Sequence, residues 1–191
     1  MAGLSFNRRR RKQINYELIR EILVWSFQIA LVCLIAFVLV KYFGQRVCMV
    51  GDSMNPILEN GDVTLVNSIA YDAGKPKRGD VIAFKPNGND SSYYYIKRIV
   101  GLPGETVEIR DGKVFINEKE LKEEYKTSEL LDVGIIDEPT KLGNNEYFVL
   151  GDDRENSEDS RTANVGNVKR SEIAGKVWFV ITPGDNFGFV K

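Results

Sequence analysis

Histidine is absent from this chain of 191 residues, and cysteine occurs only at Cys33 and Cys48. Without an imidazole the chain excludes Ser-His-Asp and Cys-His nucleophilic mechanisms, histidine acid–base chemistry and His-ligated metal sites. Two cysteines are too few for a Cys-rich zinc site and do not resemble a disulfide framework. Internal repeats and low-complexity tracts are also missing. What is present fits a folded protein: 43% hydrophobic and 28% charged residues exclude a disordered tail or a fibrous repeat. The length suits one ordinary domain with an appendage.

Charge is unevenly spread, although the net value is only −1. Residues 1–21 carry Arg8, Arg9, Arg10, Arg11, Lys12 and Arg20 against Glu17 and Glu21. Residues 22–40, ILVWSFQIALVCLIAFVLV, carry no charge, and the remainder is acidic. A helix over those 19 residues would span about 28 Å, close to the ~30 Å of a bilayer's hydrocarbon. A buried helix of a soluble core is the competing reading. A cleaved secretory leader fits less well, because the run is too long and no Ala-x-Ala-like site follows it. The basic run could bind nucleic acid, but beside a spanning helix it more simply sets topology, so no nucleic-acid partner is expected. Only Lys41 and Arg46 follow the run closely, so the basic side is expected to stay inside. The expected organisation is a cytoplasmic tail over residues 1–21, a single membrane anchor over 22–43 and an extracytoplasmic body over 44–191.

The body reads as mainly β. Short runs rich in Val, Ile, Tyr and Phe cover residues 63–66, 81–84, 93–100, 106–109, 114–116, 147–150 and 176–181. Turn signals such as NGD, RGD, LPGE and DG separate them, and no long 3.6-residue period appears outside the membrane run. Residues 118–145 are charged and weakly patterned. They read as a hairpin end and a surface excursion, a small subdomain in a variable β region over about 111–145.

Three places carry chemistry. In residues 50–56, VGDSMNP, a tight turn can present the Ser53 hydroxyl and its N–H together, as a nucleophile with an oxyanion donor requires. An ordinary turn serine explains the same residues. In residues 93–100, YYYIKRIV, alternation puts Tyr95, Lys97 and Ile99 on one face and Ile96, Arg98 and Val100 on the other. One of the two adjacent cations is then expected to face apolar neighbours. Lys97 is an edge gatekeeper, a snorkelling side chain, or a desolvated lysine whose neutral amine serves as a base. Residues 151–161, GDDRENSEDSR, crowd five carboxylates with two arginines and two serines. A calcium loop is disfavoured because EF-hand spacing is lacking. A solvated acidic turn remains open, as does an ion pair of Asp159 with Arg161 that pins the loop.

Taken in order behind one N-terminal anchor, VGDSMNP, YIKRIVGLPGE and GDDRENSEDSR resemble the motifs of the bacterial type I signal peptidases. The resemblance covers most of residues 22–182. It implies a membrane-anchored serine endopeptidase that removes signal peptides from exported preproteins with a Ser–Lys dyad, cutting after small residues. It implies a single transmembrane helix followed by an all-β catalytic domain with a small variable β insertion. Ser53 then matches the nucleophile and Lys97 the general base. Ser157 matches a serine that hydrogen-bonds the lysine, and Asp159 and Arg161 a supporting pair. Met49, Gly51, Met54, Leu58, Tyr95 and Ile96 fall where the family lines its substrate pockets. The implied partners are signal peptides and membrane lipid, with no cofactor and no metal.

Three positions depart from the family pattern. Gly51 stands where some members carry a hydroxyl that helps the oxyanion, and Asp153 where Asn is frequent. Gly166 follows the last motif later than usual. Self-cleaving repressor-type proteins carry a similar serine–lysine pair but are soluble with a DNA-binding head, which the apolar run argues against. A non-catalytic membrane-anchored partner, the other class, would be expected to have lost Ser53 or Lys97.

Overall fold

The computed structural model describes residues 16–86, 93–128, 130, 132, 134–135 and 138–190. The basic run Arg8 to Lys12, expected to set orientation, lies outside the described residues. The chain forms two compact units that divide after Leu39.

The first unit is described as helix α1, Tyr16–Phe43, whose last turn belongs to the second unit. It has no buried residue, and Trp25 and Phe27 are two-thirds exposed. An all-round apolar helix of this kind is stable in hydrocarbon rather than water. Its polar Ser26 is satisfied internally, donating to the Leu23 carbonyl (2.9 Å). Gly44 ends the helix. A Cβ there would collide with the Val40 carbonyl oxygen.

The second unit is mainly β. Its larger sheet contains β1 (Gln45–Cys48), β2 (Val63–Asn67), β3 (Val81–Phe84), β4 (Tyr95–Gly101), β9 (Glu146–Leu150), β10 (Val168–Lys169), β11 (Ile173–Val180) and β12 (Gly188–Phe189). The order is β1-β2-β11-β3-β4-β9-β10, with β12 paired to β11. β11 therefore sits between β2 and β3 and joins the first hairpin to the rest of the sheet. A smaller sheet has the order β7-β6-β5-β8, from β5 (Thr106–Arg110), β6 (Lys113–Ile116), β7 (Lys119–Glu120) and β8 (Thr140–Lys141).

Alternation in β4 places its side chains in different cores. Ile96 joins a cluster with Met49, Met54, Leu58 and Val66. Ile99 joins Phe84, Tyr147 and Val149, and Val100 packs with Val107, Leu142 and Phe148 between the two sheets. Gly101 is required at that junction, since a Cβ would lie 2.7 to 2.8 Å from Val107, Leu142 and Phe148.

All seven expected strands occur, residues 81–84 with unchanged bounds and the other six with shifted ends. β4 begins at Tyr95 rather than at 93, and β11 at Ile173 rather than at 176. Gly175 explains the latter: it lies against the backbone of Asn67, where a larger residue could not follow β2. β1 and the two-residue strands β7, β8, β10 and β12 were not expected. They are too short for alternation to register.

Candidate active site

The turn after β1 is closed by its own backbone. Met49 N–H donates to the Asp62 carbonyl (2.7 Å) and Gly61 N–H to the Met49 carbonyl (2.9 Å). Gly51, at φ +82°, donates to Asn60 Oδ1 (3.0 Å). Met54 and Leu58 are fully buried beneath the turn and hold it down. Burial of each such side chain stabilises by about 1.5–3 kcal/mol. Ser53 is left 6% exposed at the top. Its carbonyl accepts from the Asp153 N–H (3.1 Å), while its own N–H has no partner among the described residues.

Lys97 approaches from β4. Its Nζ lies 2.5 Å from Ser53 Oγ, and the residue is only 4% exposed. As an ammonium it donates to Oγ; as a neutral amine it accepts the hydroxyl proton. Burial lowers its pKa from 10.5 to about 8; Asp159, Glu158 and Asp152 pull it up, and Arg161 pushes it down. The Tyr95 ring stands 5.8 Å from Nζ. Arg98 is buried too, at 1%. Sequence alternation led us to expect one cation among apolar neighbours, but β4 is covered on both faces. Arg98 survives there because Asp152 receives Nε and Nη2 at 2.8 and 2.7 Å.

The 151–161 segment follows β9 and backs the pair. Asp159, fully buried, receives Arg161 Nε and Nη2 (2.8 and 2.9 Å) and the Gly151 N–H (3.1 Å). Arg161 also donates to the carbonyls of Arg154 (2.6 Å) and Asp132 (2.9 Å). Ser157 was expected to bond the lysine. Here its Oγ is buried with no hydrogen-bond partner among the described residues, packed where a Cβ on Gly151 would collide with it.

A cleft of about 740 Å³ opens over Ser53 and Lys97. Met49, Gly51, Tyr95 and Ile96 lie on its lining, as the resemblance implies. Met54 and Leu58 do not: the Leu58 N–H bonds back to the Met54 carbonyl (3.0 Å) and both side chains turn into the core. Beside the cleft, residues Tyr95, Ile96 and Lys97 pair with β3 on one side only, because β9 joins β4 from Arg98 onward. That open edge suits an added peptide strand. Asp52, Tyr93, Tyr94, Asn156, Glu158 and Asn164 also line the cleft and were not singled out in the sequence. Five of them lie within the quoted stretches, but spacing alone does not say which polar residues of a loop face inward. Among the described residues, no group of three or more His, Cys, Asp or Glu side chains is placed to hold a metal.

The fold is mainly β, and its cleft brings a serine hydroxyl against a buried lysine amine. The family model described as "Signal peptidase, peptidase S26" matches residues 22–182, and the chain belongs to that family. It is 31% identical over 193 residues to signal peptidase I P of Bacillus subtilis subsp. natto, covering 97% of this chain and 100% of that one. It is 35% identical over 168 residues to signal peptidase I T of Bacillus subtilis (strain 168), covering 84% and 86%. Signal peptidase IB of Staphylococcus aureus (strain COL) is 32% identical over 183 residues, covering 88% and 93%. The protein is therefore a hydrolase that removes signal peptides from preproteins. Its N-terminal helix is long and apolar enough to anchor it in a membrane.

Proposed function

We propose that this protein cuts signal peptides after small residues by a Ser–Lys dyad, with Ser53 as nucleophile and Lys97 as general base. The observation that carries the reading is the 2.5 Å contact between Nζ and Oγ on a lysine that is 4% exposed. An extended preprotein segment lies along the open edge of residues 95–97. Neutral Lys97 takes the Ser53 proton as Oγ attacks the scissile carbonyl, and the unpartnered Ser53 N–H stabilises the oxyanion. Lys97 then gives its proton to the departing amine as the C–N bond breaks. Lys97, neutral again, takes a proton from the water that attacks the acyl-enzyme carbonyl and returns it to Ser53 Oγ as the ester C–O bond breaks. Asp159 and Arg161 fix the backbone that holds Ser53 and Gly151. Met49, Tyr95 and Ile96 line the part of the cleft that would receive those small side chains.

The residues from 44 onward work outside the cytoplasm, with tail 1–21 inside. Ser53 follows the apolar run by 13 residues, which puts the chemistry near the membrane surface where a signal peptide's own helix ends. The test is incubation of the detergent-solubilised protein with a labelled preprotein, alongside Ser53→Ala. Cleavage by the parent and none by the variant is expected. Cleavage that survives Ser53→Ala would overturn the reading. Replacing the substrate Ala before the cut with Phe should nearly stop the reaction; equal rates would contradict the small-residue pockets.

A further inference from the structure

Three carboxylates act on Lys97: Asp159, Glu158 and Asp152. Two of them are buried and neutralised. Asp159 is paired with Arg161, and Asp152 with Arg98. Glu158 differs. It is exposed, it lines the cleft, and no Lys or Arg is paired with it among the described residues. Its carboxylate is nevertheless held in place: Oε1 receives Asn164 Nδ2 (2.9 Å) and Oε2 receives the Tyr95 hydroxyl (3.3 Å). Tyr95 belongs to the open strand edge, so the carboxylate is tied to the place where the peptide lies. The other charged residues on the lining are Asp52 and Lys97. Once Lys97 is neutral, as the base must be, the cleft carries two carboxylates and no cation.

We propose that Glu158 is a specificity-determining residue that favours preproteins carrying a lysine or arginine near the scissile bond, outside the small residues that precede the cut, and disfavours those with an acidic side chain there. The proposal rests on the Ser53–Lys97 reading. A substrate cation beside Glu158 gains an ion pair in a partly desolvated cleft. It also offsets the one carboxylate near Lys97 that lacks an arginine. The groups facing Lys97 are Asp159, Glu158 and Asp152, which hold its proton on, and Arg161, which drives it off. Of these, a bound peptide reaches only Glu158. A basic substrate therefore makes Lys97 easier to deprotonate, whereas an acidic one makes it harder.

The test uses the full-length protein in detergent and matched peptides that keep the small residues before the cut and carry Lys, Gln or Glu at the neighbouring positions. We expect kcat/KM for the best Lys peptide to exceed that of its Glu counterpart about fivefold at low salt, the range of an exposed ion pair. The preference should shrink in about 0.5 M salt. Glu158→Gln should bring the ratio close to one, and Glu158→Lys should invert it. The acid limb of the pH–rate profile should move to lower pH in Glu158→Gln, which a purely structural role would not produce. Equal rates for the three peptides with the parent enzyme, or a preference that persists in Glu158→Gln, would overturn the proposal while leaving the dyad intact. Cleavage by Ser53→Ala or Lys97→Met would instead overturn the dyad.

Discussion

Substituting Lys97 separates a catalytic base from a buried structural cation, because the two roles predict opposite effects on activity and stability. With its pKa lowered to about 8, about 9% of Lys97 is neutral at pH 7, against about 0.03% for an ordinary lysine. Burial thus raises the working fraction by about 300-fold. The rate should climb nearly tenfold per pH unit below 8 and level off above about 9. Lys97→Arg should be inactive at every pH, since a guanidinium keeps its proton. The same burial weakens the fold. The folded pKa lies below the unfolded one, so between about pH 8 and 10.5 the unfolded chain holds the extra proton and stability rises with pH. Below about pH 8 the whole penalty is present, up to about 3 kcal/mol for a shift of this size. Lys97→Met keeps the side-chain volume and removes the charge. It should be inactive yet melt several degrees higher at pH 7, with the gain fading toward pH 10.5. Initial rates from pH 6 to 10 and thermal melts on the same samples give both readouts. An active Lys97→Arg enzyme, or a rate that is flat from pH 6 to 9, would refute the assignment.

Gly151→Ala should fold but lose activity by about a hundredfold. Its new methyl would press on the Ser53 carbonyl and the Ser157 side chain, and kcat at saturating peptide checks this. Asp152→Asn should lower stability by about 3–5 kcal/mol, because buried Arg98 would lose the carboxylate that receives its Nε and Nη2; denaturant unfolding measures it. Protease added to intact spheroplasts should digest the second unit, and full protection would reject an outward-facing body.

The strands that could be read in the sequence are runs of Val, Ile, Tyr and Phe bounded on both sides by turn residues. Residues 81–84 and 106–109 announce themselves by composition and by the turns around them. β1 did not, because QRVC follows directly on an apolar helix and gains its identity only by pairing with residues 63–66. β8 was hidden for a similar reason: two residues return to β5 after a long excursion, and a contact over that separation leaves no local trace. Ser53 and Lys97 were accessible through their motifs, and the structure places them together across 44 positions. Met54 and Leu58 show what motif position omits. A residue can sit in a substrate-site motif and still point inward, because the turn's own hydrogen bonds decide which side chains plug the core. Glu158 shows the converse, a charge inside a crowded acidic run whose exposure depends on Tyr95 and Asn164.

The place of β11 in the sheet bears on the order in which the second unit can be completed. In the larger sheet the β1–β2 hairpin, whose connection holds Ser53, is joined to β3 and β4 through β11, which lies between β2 and β3. Residues 173–180 leave the ribosome long after 53 and 97 have emerged. The sheet that carries the hairpin and Lys97 is therefore closed by one of the last strands to be made, and a chain cut short before it would lack the piece that joins the two.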